Sequence, residues 1–120
     1  MTAASLNGAF ERVWALAEAL KLPELNQSTT HGTPSLKLKA AFLGRLKDAD
    51  IFAIHCPLEE KPLLMESAPD IYFETDHYKG WPYILIRLAS ISDEELSHRI
   101  RLAWLAKAPA KLKKLVEPKE

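Results

Sequence analysis

Apolar residues first recur at Leu6, Phe10, Val13, Ala17 and Leu20, three or four positions apart, with Trp14 beside them and Glu11, Arg12 and Glu18 away from them. This spacing returns to one side of a 3.6-residue turn and predicts an amphipathic helix. Pro23 ends the pattern, because the residue before a proline is pushed out of the helical region. The rhythm then shortens to two. Leu36 and Leu38 alternate with Lys37 and Lys39, which predicts a half-buried strand with a basic outer face. Residues 42–46 and 51–56 continue as strands, with Lys47-Asp48-Ala49-Asp50 as the turn between them. Connections this short exclude parallel crossovers, so the expected arrangement is an antiparallel meander.

Punctuation residues divide the rest. The polar run Asn26-Gln27-Ser28-Thr29-Thr30 leads into His31-Gly32-Thr33-Pro34, which predicts a bend. Pro57, Glu59 and Glu60 suit the first turn of a helix, where Pro62 either restarts the helix or kinks it. Leu63, Leu64 and Met65 supply its apolar surface, and Ala68-Pro69 stops it. Residues 71–74 and 83–88 read as a short strand and a strongly apolar one. Ser92-Asp93-Glu94-Glu95 is a capping box in which the serine oxygen and Glu95 answer unpaired amides at a helix start, and Leu96, Ile100, Ala103 and Trp104 mark the buried stripe that follows. Pro109 closes that helix, and residues 110–116 add a short terminal turn. The whole predicts one α+β domain, an antiparallel sheet covered by helices.

Composition narrows the function more than the fold. A chain of 120 residues suffices for one modest core. Its 16 basic and 16 acidic side chains balance, so no overall cationic field draws it to nucleic acid or anionic membrane. No apolar run has the length of a bilayer span and the N-terminus lacks the pattern of a signal peptide, so the expected location is cytoplasmic, with no membrane partner. Cys56 is the sole cysteine, which excludes an internal disulfide. Phosphate loops, dinucleotide fingerprints and nucleophile elbows are absent from the sequence. No catalytic residue, resident metal or cofactor is therefore assigned.

The densest chemistry lies in residues 73–82, FETDHYKGWP, directly ahead of the apolar strand. Glu74, Asp76 and His77, joined by His31 if the two polar loops meet, suit a cation or a small ligand. The plainer reading is an interlocked loop in which Asp76 caps turn amides, Gly80 supplies a positive φ, and Tyr78 and Trp81 cover the sheet edge. His55 and Cys56 are adjacent in a strand and point to opposite faces, so they form no dyad. Cys56 reads as a small buried hydrophobe and His98 as an exposed helix residue. The five lysines at positions 107, 111, 113, 114 and 119 read as a solvated end.

Taken in order, HGTPSLKLK, DIFAIHCPLEE, FETDHYKGWPYILIRL and the ISDEEL helix resemble the MmcQ/YjbR family over roughly residues 5–110. The resemblance implies a CyaY-like α+β fold with two β-hairpin wings, and a small DNA-binding protein; a monomer is expected. Phosphate contacts would then come from Lys37, Lys39 and Arg45, extended by Lys79 and Arg87, with Trp81 organising the second wing. Binding of that kind is expected to be weak and salt-sensitive. The competing expectation is a non-enzymatic protein-interaction, small-ligand or metal-binding module that uses the His31 and His77 loops. One departure concerns the first wing: Lys39-Ala40-Ala41 has no glycine or asparagine, which predicts a longer or irregular tip.

Overall fold

The two-residue rhythm builds the centre of the molecule. In the computed structural model, which describes residues 2–30 and 32–116 and side chains from Gly8 onward, the strands are β1 (Leu25–Thr30), β2 (Thr33–Leu38), β3 (Ala41–Leu46), β4 (Ile51–His55), β5 (Tyr72–Phe73) and β6 (Tyr83–Arg87). They form one antiparallel sheet in the order β1-β2-β3-β4-β6-β5. The predicted meander is its middle, and the hairpins that would have been separate wings are joined into one surface. Four helices accompany the sheet: α1 (Thr2–Ala19), α2 (Lys61–Ser67), α3 (Asp93–Lys107) and α4 (Ala110–Val116).

Helices α1 and α3 lie against each other, α1 over β1 and β2 and α3 over β3 and β4. Beneath them Leu36, Leu38, Leu43, Leu46, Phe52, Ile54, Ile84 and Ile86 form the core with Phe10, Val13 and Ala17 of α1 and the predicted stripe of α3. Trp104 is fully enclosed, and its indole Nε1 donates to the carbonyl of Pro23 at 2.9 Å, so the largest core residue also fixes the exit from α1. Arg12, off the apolar face, is a clamp. Its guanidinium reaches Asp93 at 2.7 Å and donates to the carbonyls of Leu88 and Ile91 at 2.6 and 2.7 Å, tying α1 to the connection between β6 and α3.

Several expectations need correction. The polar run after Leu25 is itself an edge strand ahead of the expected bend: β1 pairs along its length with β2, the chain turns at Gly32 with φ 79, and Pro34 lies past the turn, inside the pairing opposite Thr29. A proline is tolerated near the start of a strand, where the missing donor costs least. Pro57 opens only a turn; α2 begins at Lys61, with Pro62 in its first turn, where a proline loses no internal hydrogen bond. The capping box is half formed. Ser92 Oγ accepts from the amide of Glu95 at 3.1 Å, but the Glu95 carboxylate accepts from the Tyr72 hydroxyl instead of turning back.

The first hairpin tip is short, with only Lys39 and Ala40 between β2 and β3. Lys39 takes the left-handed conformation at φ 55, at the position where such turns favour glycine or asparagine. The irregularity lies inside the hairpin. Lys37 faces Phe42 while Leu36 faces Gly44, so Leu43 is an extra residue on β3. This bulge keeps Leu43 in the core while Phe42 stands beside Lys37 on the other face.

Gly44 follows from the same crowding. A Cβ there would stand 2.4 Å from the Ala53 carbonyl oxygen and 3.1 Å from Ile54 Cα, both backbone atoms that cannot rotate away. Gly44→Ala is expected to lower the unfolding free energy by about 1–3 kcal/mol, the usual range for overpacking, measured by urea denaturation. A neutral or stabilising result would mean that β3 and β4 separate more readily than this close approach implies.

Candidate functional site: a cationic, aromatic-walled pocket

The sheet has a second face, and no helix of the core pair covers it. Side chains of Lys37, Phe42, Arg45, Ala53, His55, Tyr83, Leu85 and Arg87 belong to it, alternating with the core residues on the same strands. Ala53 and Leu85 are nonetheless buried at 1% and 2% exposure.

The segment of residues 74–82 lies beyond β5 and returns to β6. Its turn is organised by the Thr75 carbonyl, which accepts from the amides of Tyr78 and Lys79 at 2.9 and 3.1 Å, and Gly80 turns the chain at φ 82. Asp76 takes no part in capping: its carboxylate is fully exposed and lies 3.9 Å from Lys79, a loose surface pair. The predicted Gly80 role therefore holds and the Asp76 role passes to a backbone carbonyl.

What fixes this segment to the fold is Lys61, a residue that sequence patterning gave no reason to select. The first residue of α2 is only 3% exposed, and its ammonium donates to the carbonyls of Tyr78 at 3.0 Å and Trp81 at 2.8 Å. Glu74 Oε1 stands 2.7 Å from the same nitrogen, within ion-pair distance but off the hydrogen-bonding direction. The carbonyls point back to Lys61, while the rings of the same two residues wall a cavity.

That cavity has a volume of about 460 Å³ and is lined by Thr30, Lys37, Ala40, Phe42, Arg45, Ala53, His77, Tyr78, Trp81 and Tyr83. Phe42 and Tyr83 stand with ring centres 5.7 Å apart across β3 and β6. Trp81 is 62% exposed, a large ring left facing solvent at the rim. Lys47 lies 5.0 Å from the centre of the Tyr78 ring and adds a third cation behind the wall. No carboxylate lines the cavity. Arg45 is held by a 2.9 Å bond from Nη1 to Thr33 Oγ1, and among the described residues Lys37 has neither a hydrogen-bonded nor a charged partner. Two permanent cations, four aromatic rings and no acid have the chemistry to accept an anion that carries a flat apolar portion.

The predicted site residues are thus only partly brought together. Lys37, Arg45, His77 and Trp81 share the pocket. Lys39 belongs to the hairpin tip and not to the strand face it was expected to share with Lys37. Lys79 is exposed beside Asp76. Arg87 stacks over Phe73 at 4.0 Å and donates to the Pro69 carbonyl at 3.2 Å, away from the cavity. Glu74 turns to Lys61, so Glu74, Asp76 and His77 do not converge, and among the described residues no three potential metal ligands cluster. His31 lies outside the described residues. Phe42 and Tyr83 line the cavity without having been singled out, and Tyr78, expected to cover the sheet edge, lines it too; the alternation of β6 signalled Tyr83, whereas Phe42 depends on the bulge.

Beside the pocket, His55 meets Tyr83 edge-on at 5.7 Å, and its buried Nδ1 has no partner among the described residues. Burial, then the charge of Lys107, holds its pKa below the ordinary 6.5, against a smaller opposing pull from Glu60. Cys56 points into the core at 1% exposure, where burial raises its pKa to about 11, so it is no nucleophile at neutral pH.

No protein-family model matches the chain. Uncharacterised proteins of Mycobacterium tuberculosis and Mycobacterium bovis are 43% identical over 49 residues, 41% of this chain and 38% of theirs. The matched stretch therefore spans well under half the length of those relatives. Among solved structures, Deinococcus radiodurans protein DR2400, a DUF419 domain, superposes with a TM-score of 0.71 over 89% of this chain and 86% of its own, at 12% identity. That likeness shows the fold, a single α+β domain of the kind expected. Among the described residues no helix is long and apolar enough to cross a membrane.

The His55 environment sets a pH dependence. The unfolded chain binds its proton near 6.5 and the folded chain only at a lower value, so its contribution to stability is complete above 6.5 and is lost as the pH falls through the depressed value. Urea denaturation at a series of pH values should show wild type losing stability relative to His55→Gln as the medium is acidified below 6.5. Parallel curves for the two proteins would show that His55 titrates normally in the fold.

Proposed function

We propose that this chain is a non-enzymatic binding module of the MmcQ/YjbR type whose pocket takes a nucleotide unit, free or within a single strand of nucleic acid. The observation that carries this reading is the lining: Lys37 and Arg45 converge with Phe42, Tyr78, Trp81 and Tyr83, and no carboxylate is present. A phosphate group matches the two cations, Arg45 offering a planar fork and Lys37 a point charge. A base matches the rings, since stacking on an aromatic side chain is worth about 1–3 kcal/mol and tolerates any base. A cavity of about 460 Å³ accommodates one such unit, not a duplex. The DNA-binding expectation is thereby narrowed to unpaired nucleotides. Lys39, Lys79 and Arg87 are left outside the contact, because none of them lines the cavity.

The test is a titration of a 5′-mononucleotide, a short single-stranded oligonucleotide and the matching duplex, each at two salt concentrations. Single-strand affinity is expected to exceed duplex affinity and to fall with salt. Lys37→Glu with Arg45→Glu should abolish binding of every form, and Trp81→Ala should weaken it roughly 5- to 150-fold, the equivalent of one lost stacking contact. A preference for the mononucleotide would identify a free metabolite as the source of the ligand. Duplex binding indifferent to Trp81→Ala would overturn the pocket reading and restore the basic-face one.

A further inference from the structure

The second face of the sheet is covered by a wall with little hold of its own. Residues 74–82 contribute nothing to the hydrophobic core. Thr75, Asp76, His77, Lys79, Gly80 and Trp81 are all exposed. Within the described structure, the hydrogen bonds that join residues 74–81 to another element are the two that Lys61 donates to Tyr78 and Trp81. The remaining bonds of residues 74–81 are local to the turn and its junction with β6, and at the far end of the segment the Pro82 carbonyl accepts from the amide of Cys56 at 2.9 Å. Beyond them come the ion pair of Lys61 with Glu74 and the Lys47 contact with the Tyr78 ring.

We infer that Lys61 is the positioning residue of the pocket: from behind, its ammonium holds the backbone of Tyr78 and Trp81 so that their rings stand opposite Phe42 and Tyr83. The inference rests on the nucleotide-binding reading for its ligand, but its mechanical part stands by itself. Lys61 does not line the cavity. It acts through the two carbonyls it holds, and those carbonyls belong to the two residues of the segment whose aromatic rings form the wall. Glu74 completes the device by neutralising the buried charge. Removing the ammonium leaves Glu74 without its ion-pair partner and each carbonyl with only its local amide, from Trp81 and from Tyr83, which favours a rearranged or open segment. Removing Glu74 leaves the ammonium with carbonyls alone, a weaker hold of the same kind.

The experiment uses the full chain, with amide hydrogen exchange read beside nucleotide titration. In Lys61→Met, amides of residues 75–81 are expected to exchange at least about tenfold faster, while those of Ile84 and Leu85 keep their wild-type rates. Affinity for the 5′-mononucleotide should fall by at least about tenfold, since the bound arrangement is then populated only part of the time. Glu74→Gln should move both readouts the same way by a smaller factor, and it decides the matter if Lys61→Met does not fold. Wild-type exchange in the segment overturns the inference, and so does loosening of the whole sheet in step with it, because that marks a merely structural lysine. Faster exchange with undiminished nucleotide affinity overturns it as well. If wild type takes no nucleotide but the segment still loosens selectively in Lys61→Met, the ligand reading falls and the positioning role of Lys61 stands.

Discussion

A lysine ammonium taken out of water has to be met by oxygen atoms, and that constraint shapes one side of this molecule. Lys61 is almost wholly enclosed, and the chain answers it with two main-chain carbonyls and one carboxylate from a single segment. Replacing such an arrangement with hydrocarbon often costs a protein little stability. What hydrocarbon lacks is direction. An apolar contact would let the segment slide, whereas an ammonium bound to the carbonyls of Tyr78 and Trp81 fixes where two rings stand. The helical side of the sheet is held by area, and the pocket wall chiefly by the polar contacts of Lys61.

The two sides were unequally legible for that reason. Burial by area leaves a periodic trace: the α3 stripe of Leu96, Ile100, Ala103 and Trp104, and the alternation of Leu36 and Leu38, both placed their elements correctly. The polar hold leaves none. Lys61 stands beside a proline at the start of a short helix, where nothing in its neighbours indicates burial. Arg12 was similarly invisible, because its three partners are distant in sequence. β1 was missed because an edge strand needs no apolar alternation, only a partner. FETDHYKGWP was recognisable as chemistry, but its layout was not: Glu74, grouped with Asp76 and His77, pairs with Lys61 instead, and Trp81, expected to organise the second wing, stands at the rim.

The likeness to the DUF419 domain and the pocket are claims of different kinds. A TM-score of 0.71 at 12% identity establishes that the backbone is shared, and a backbone does not carry a binding preference with it. The preference belongs to side chains, and here it turns on a local irregularity. Without the extra residue at Leu43, the alternation of β3 would not place Phe42 beside Lys37 while keeping Arg45 and Gly44 where they are. A domain with the same six strands and a regular third one would present a different cavity.

The sheet's two margins have a consequence for the molecule among its own copies. One margin is β1, whose residues after Leu25 are Asn, Gln, Ser, Thr and Thr; the other is β5, which is two residues long. A newcomer seeking to extend the hydrogen-bonded ladder meets a hydrophilic rail at one end and almost no rail at the other. Lateral growth is disfavoured at the β5 border, where two residues offer almost no ladder, whereas β1 leaves a six-residue backbone edge open to a further strand.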